Sequence, residues 1–283
     1  ARARAHRRHL AATSARRIRA LEASDQVVVT SRYLERSLAG VVAPERLSRI
    51  PNPADNVEAV ASAIRGVAEQ PGLNVVIAGM LNDSKGQLRF LTEAAAWLRE
   101  NPARVVHLAG RGAQAEAEIR AFAERTGLSR QIILHGFLPR RDVLRLIREC
   151  QVVAAPTIWP EPFGRAPLEA GAARAPIVAF SVGGLAETII HGETGLLVES
   201  GNYRAFLDAL EHLLSDPALR RRMGEAGAIH VARDFSAARS AGLLEAVLAP
   251  GSPQSASSES SDGARQGERS RPSASSQKST ASL

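Results

Sequence analysis

Short runs of β-branched and other apolar residues recur along the chain, at Val27–Val29, Asn74–Ala78, Val105–Ala109, Ile132–His135, Val152–Ala155, Ile177–Phe180 and Gly195–Val198. Most are separated by stretches with apolar positions at helical spacing. In Lys85–Glu100, for example, Leu88, Leu91, Ala95 and Leu98 share one face. Runs this short and this uniformly apolar read as strands covered on both faces. Their alternation with helices predicts an α/β fold, a doubly wound parallel sheet. Three more helical stretches follow, Tyr203–Leu214, Pro217–Ala232 and Ala237–Leu248. The segment Ile50–Ala54, IPNPA, carries two prolines and is disfavoured as helix or central strand. Ahead of it stand a basic helical stretch and one small βα unit, Asp25–Gly40. About fifty residues cannot bury a core of their own. Residues 1–50 must therefore either dock on the sheet domain, 73–249, across the hinge or linker 51–72, or be the remnant of a second α/β domain.

Composition adds two limits. The last 34 residues, Pro250–Leu283, hold 12 serines and no large aliphatic residue before Leu283, so they are expected to stay disordered. A single cysteine, Cys150, excludes an intrachain disulfide and suits a reducing compartment. No apolar stretch approaches the roughly 18 residues of a membrane span. A cytoplasmic location follows as the expectation. The first 20 residues contain seven arginines and no acid. A basic stretch from Arg2 to Arg19 suits either a solvated helix face or peripheral docking on an anionic membrane surface. Nucleic acid is disfavoured, because no aromatic residue interleaves with the arginines and no recognised module follows. The chain starts at Ala1 rather than Met and within a helical pattern, which reads as a fragment.

Candidate chemistry concentrates in Trp159–Glu199. Glu161 and Glu169 are separated by seven residues, the first in a Pro-flanked loop after Val152–Ala155, the second on a helix expected to begin at Phe163 and Gly164. Ligands of open α/β sheets bind at the carboxyl ends of parallel strands. A helix N-terminus placed there suits a diphosphate. Gly183 and Gly184 are expected to open the next helix, with Glu187 on its first turn. Each feature alone has a plain structural reading: a solvated carboxylate, a strand-to-helix turn, a charge that favours a helix start.

Their order carries the argument. The run E-P-F-G-x5-E-A, then A-P-I-V-A, G-G-L-A-E and H-G-E-T-G-L-L-V resembles the signature of the group-1 glycosyltransferases, retaining enzymes of the GT-B fold that use nucleotide-diphosphate sugars. Upstream, Gly79–Gly86 (GMLNDSKG), His107–Gly112 (HLAGRG) and Leu134–Phe137 (LHGF) are similar to that family's loops. The resemblance implies a Rossmann-like donor-binding domain preceded by the tail of an acceptor domain. It implies that Glu161 lies near the transferred sugar and that Lys85 stabilises the diphosphate as its charge grows, these two being the catalytic candidates. It implies that Glu169 accepts hydrogen bonds from the donor ribose, that the backbone at Phe163 and Gly164 faces the sugar, and that the backbone at Phe137 meets the nucleobase. Gly183 and Gly184 complete the donor-binding set. No metal or other cofactor is implied; the partners are a nucleotide-sugar donor and an acceptor the sequence does not name.

One position departs from the pattern. Met80 stands where most of the family carries an arginine, and Arg111, at the end of the neighbouring strand, is the candidate replacement. Other readings fit less well. A dinucleotide-binding oxidoreductase would need the third glycine that Gly110-Arg-Gly-Ala-Gln-Ala lacks, and no G-K-[ST] supports a P-loop. No D-x-D triplet supports a metal-dependent GT-A transferase. A non-catalytic nucleotide-binding or scaffold module of the same fold remains the alternative to an enzyme. Because a GT-B site lies between two domains, the chain by itself is expected to bind donor weakly and to be inactive in transfer.

Overall fold

The computed structural model describes residues 15–54, 66–68 and 73–249. The expected Ser-rich tail and part of the expected hinge lie outside these residues, as do Arg2–Arg8 of the basic stretch; residues 15–22 are helical. Among the described residues, no helix is long and apolar enough to cross a membrane.

The first elements are β1 (Val27–Val29), α1 (Arg32–Ser37) and β2 (Leu47–Arg49). β2 was not anticipated: its three residues, Leu-Ser-Arg, carry no apolar run, and only pairing with β1 makes them a strand. The two strands are parallel, and Val27, Val29 and Val42 form a small buried cluster.

The main sheet contains β3 (Leu73–Ala78), β4 (Arg104–Ala109), β5 (Ile132–Gly136), β6 (Val152–Ala155), β7 (Ile177–Phe180) and β8 (Gly195–Val198). All neighbours are parallel, in the order β5-β4-β3-β6-β7-β8. This is the doubly wound parallel sheet expected from the alternation of runs. The helices are α2 (Gln87–Glu100), α3 (Ala113–Thr126), α4 (Arg140–Glu149), α5 (Ala166–Ala172), α6 (Tyr203–Ser215), α7 (Pro217–Asp234) and α8 (Ala237–Leu248).

Alternation along each strand assigns residues to the two faces. Val75, Ile77, Val106, Leu108, Val152, Ala154, Val178 and Phe180 pack with α2, α3 and α6. Val76, Val153, Ala155, Ile177 and Ala179 point the other way, onto α4 and α5. Phe180 centres the first layer: its ring lies 4.8 Å from that of Phe206 and 5.2 Å from that of Tyr203. Cys150 caps the end of α4 and is buried. Burial, with Glu149 nearby, pushes its thiol up to about 12.

A polar line crosses the strands on the second face. His107 of β4 stacks on His135 of β5 with ring centroids 5.2 Å apart and Nδ1 to Nε2 at 3.0 Å, while His107 Nε2 lies 3.4 Å from Asn74 Oδ1 of β3. Burial, then the neighbouring His135, lowers His107 to about 4.

The IPNPA segment is neither helix nor strand. It leads to the C-terminal helices: Ser240 Oγ donates to Pro51 O (2.9 Å), and Ala54 N donates to Phe235 O (2.8 Å).

Candidate active site

The chain runs outward from β3 through β4 to β5, then returns to lay β6 on the other side of β3. The loops after β3 and β6 therefore diverge at a topological switch point, where open α/β sheets bind ligands. Lys85 and Glu161 occupy these two loops. Lys85 Nζ lies 2.5 Å from Glu161 Oε1, and the two side chains are 35% and 13% exposed. Two candidates 76 residues apart in sequence thus meet at the expected crevice.

Local hydrogen bonding holds each side. Asn82 accepts from Lys85 N (3.1 Å) and starts a short 3-10 turn, Asp83–Lys85. Gly86 ends that turn at φ 73°, a conformation glycine adopts without steric cost. A Cβ at Gly86 would run into the Pro156 carbonyl, so the loops after β3 and β6 touch backbone to backbone. Thr157 Oγ1 adds a bond to Ser84 O at 2.9 Å. Gln87, almost fully buried, donates to Met80 O (2.8 Å), while the Met80 side chain is exposed.

The glycines expected to serve donor binding are each packed closely against a neighbouring loop. Gly164 has φ 81° and abuts the Leu185 side chain. A left-handed residue cannot continue a helix inward, so α5 begins at Ala166 with a proline in its first turn, not at Phe163 and Gly164. The Phe163 ring is buried against Phe235, 5.7 Å away. Gly183 and Gly184 open a six-residue 3-10 segment, Gly183–Thr188, in place of the expected α-helix. Gly184 N donates to Glu161 O at 2.7 Å, and a Cβ at Gly183 would strike the backbone of Pro160 and Glu161.

Glu169 lies in the first turn of α5, its side chain 18% exposed and 3.8 Å from Arg165 Nε. Arg111 falls beyond β4, which ends at Ala109. Its guanidinium stacks over the Phe137 ring at 3.7 Å from the centroid. The Phe137 ring is exposed, so the two residues form an open platform at the ends of β4 and β5. The structure thus joins Lys85 with Glu161, sets Gly183 and Gly184 behind Glu161, pairs Arg111 with Phe137, and ties Glu169 to its own helix. Among the described residues, no group of three His, Cys, Asp or Glu could hold a metal ion.

Several contacts escaped the sequence reading. Glu187 accepts from the backbone of Arg32 (2.7 Å) and Tyr33 (2.6 Å), and Ser31 Oγ donates to Pro162 O. Only the serine ahead of an amphipathic stretch hinted at a helix cap there. Its partner across 131 residues had no local signal.

Known proteins are similar to this chain in sequence and in fold. Residues 69–230 match the family model for glycosyl transferases group 1. The chain is 35% identical over 178 residues to a D-inositol 3-phosphate glycosyltransferase of Corynebacterium glutamicum (strain R), covering 61% of this chain and 42% of that protein. It thus spans about two fifths of the length of the curated relatives it matches. A sucrose-phosphate synthase from Thermosynechococcus elongatus superposes with a TM-score of 0.70 at 27% identity, over 82% of this chain and 59% of that one. HepE of Anabaena, solved in complex with UDP-glucose, has the same fold, with a TM-score of 0.67 at 23% identity, over 79% of this chain and 64% of that one. The fold is the Rossmann-like half of GT-B glycosyltransferases, and the chain belongs to the group 1 glycosyl transferases.

Proposed function

We propose that residues 73–249 bind the donor of a retaining glycosyl transfer, a nucleotide-diphosphate sugar, and supply one wall of the reaction cleft. The observation that carries this reading is the 2.5 Å pairing of Lys85 with Glu161 across the switch point. In this arrangement Glu161 accepts hydrogen bonds from sugar hydroxyls and Lys85 turns toward the diphosphate, whose charge grows as the glycosidic bond breaks. The ion pair holds the lysine near the place where its cation is needed until the donor arrives. Glu169 receives the ribose hydroxyls, and the Arg111–Phe137 platform lies toward the nucleobase and diphosphate. Same-face attack through an oxocarbenium-like state accounts for retention, and the two carboxylates do not then form a double-displacement pair. The acceptor binds the opposing wall, so these residues alone bind donor weakly and transfer negligibly.

Calorimetric titration with UDP, GDP and ADP tests this, beside Glu169→Ala. Binding of one nucleotide, weakened about ten-fold or roughly 1.4 kcal/mol in the variant, supports the donor site. Equal binding by wild type and variant refutes the role of Glu169. Sugar transfer by the purified chain refutes the single-wall reading.

A further inference from the structure

Ser31 and α1 precede the IPNPA break and lie outside the matched residues 69–230, yet they reach the loop that carries Glu161. Two routes connect them. Ser31 Oγ donates to Pro162 O, the carbonyl directly after Glu161. The amides of Arg32 and Tyr33 donate to the two oxygens of Glu187, at 2.7 and 2.6 Å. Glu187 lies in the 3-10 segment Gly183–Thr188, whose Gly184 N donates to Glu161 O at 2.7 Å. At the centre, a Cβ on Gly184 would strike the Pro162 carbonyl and come within 2.8 Å of Ser31 Cβ, so three stretches of backbone meet with no room for a side chain.

We propose that Glu187 and Ser31 are positioning residues for Glu161, clasping the start of α1, which lies outside the sheet domain, to the Glu161 loop. A carboxylate that takes two backbone N–H donors at once is more than a solvated surface charge, because charge-assisted bonds of this kind are short and directional. The clasp makes the position of α1 and the position of Glu161 one mechanical unit. Whatever moves the segment before the break moves the sugar-facing carboxylate, and sugar binding in turn biases the placement of α1. The catalytic meaning of the clasp rests on the donor reading above; the mechanical coupling does not.

Amide hydrogen exchange on this chain, on Glu187→Gln and on Ser31→Ala decides the coupling without any ligand. Each variant is expected to speed exchange at Arg32 and Tyr33, and also at Gly184, whose amide donates to Glu161 O, by ten-fold or more, while the melting transition stays cooperative. Faster exchange confined to Arg32 and Tyr33 overturns the proposal, since a simple helix cap predicts only that. If Glu187→Gln fails to fold, Ser31→Ala carries the same test. A second arm compares UDP, GDP and ADP with UDP-glucose, GDP-mannose and ADP-glucose. Glu187→Gln is expected to weaken the nucleotide sugar about five-fold more than its nucleoside diphosphate; equal weakening refutes the role at the sugar. Failure of the wild type to bind any of these ligands sinks the donor reading instead, and the exchange result still decides the clasp.

Discussion

Gly86 and Gly127 are a matched pair on which the packing of the site can be tested. Both adopt the left-handed conformation, at φ 73° and ψ 12° for Gly86 and φ 72° and ψ 18° for Gly127. Their surroundings differ. An added Cβ at Gly127 meets nothing within 4 Å, whereas at Gly86 it would enter the Pro156 carbonyl, well inside the 3.0 Å that real Cβ atoms keep. Alanine at either position incurs the backbone strain of a left-handed L-residue, about 1–2 kcal/mol. Only Gly86→Ala adds an overpacking cost, about 1–3 kcal/mol, because a backbone carbonyl rather than a flexible side chain must yield. For a domain of this size each kcal/mol lowers Tm by about 2–4 °C. Gly86→Ala is thus expected to melt roughly 2–12 °C below Gly127→Ala. It should also weaken nucleotide binding, because the loops it forces apart carry Lys85 and Glu161, whereas Gly127→Ala should bind as wild type. Scanning calorimetry and nucleotide titration of the two variants check both points. Equal melting temperatures would refute the backbone-to-backbone contact between the loops after β3 and β6.

Two further outcomes follow from the core. Phe180→Ala removes the ring that Phe206 and Tyr203 surround and should cost about 3–5 kcal/mol, read by urea unfolding; a loss under about 1 kcal/mol would contradict the packing. His107 is held near 4 against its ordinary 6.5, so at pH above 6.5 the folded and unfolded chains both carry it neutral. Below 6.5 the unfolded chain gains a proton that the folded chain refuses until about 4, and stability falls through that window. Allowing for solvent screening of a partly exposed ring, the loss is about 1–2 kcal/mol. Unfolding at pH 7.5 and 4.5 should show a smaller difference in His107→Gln than in wild type, and an unchanged difference would refute this account.

Much of this protein is local in its causes. The β-strand runs of the main sheet and the long helices are legible because a strand buried on both faces must be apolar throughout, and an amphipathic helix must repeat every turn. Ala237–Leu248 and Val152–Ala155 were therefore readable to the residue. The ordered motifs from Glu161 to Val198 named the family for the same reason, their spacing being written in one continuous stretch, while the candidates Lys85, Arg111 and Phe137 come from separate upstream loops. Other features depended on distant partners. β2 exists because β1 lies beside it, not because Leu-Ser-Arg favours a strand. Gly183–Thr188 became a tight 3-10 segment, not an α-helix, in a place where its two glycines must fit beneath the backbone of residues 160–162. The sequence marks Arg111 as a cation at the end of a strand; that its guanidinium stacks on the exposed Phe137 ring is decided by the tertiary structure. Glu187 read as a charge near a helix start within its own motif; the tertiary structure gave its carboxylate to the amides of Arg32 and Tyr33 instead. The physical division is one of range. Periodicity and backbone preference act over a few residues and are visible in the sequence. Which donor meets which acceptor across a cleft is decided only when the strands are ordered and the loops at their ends converge.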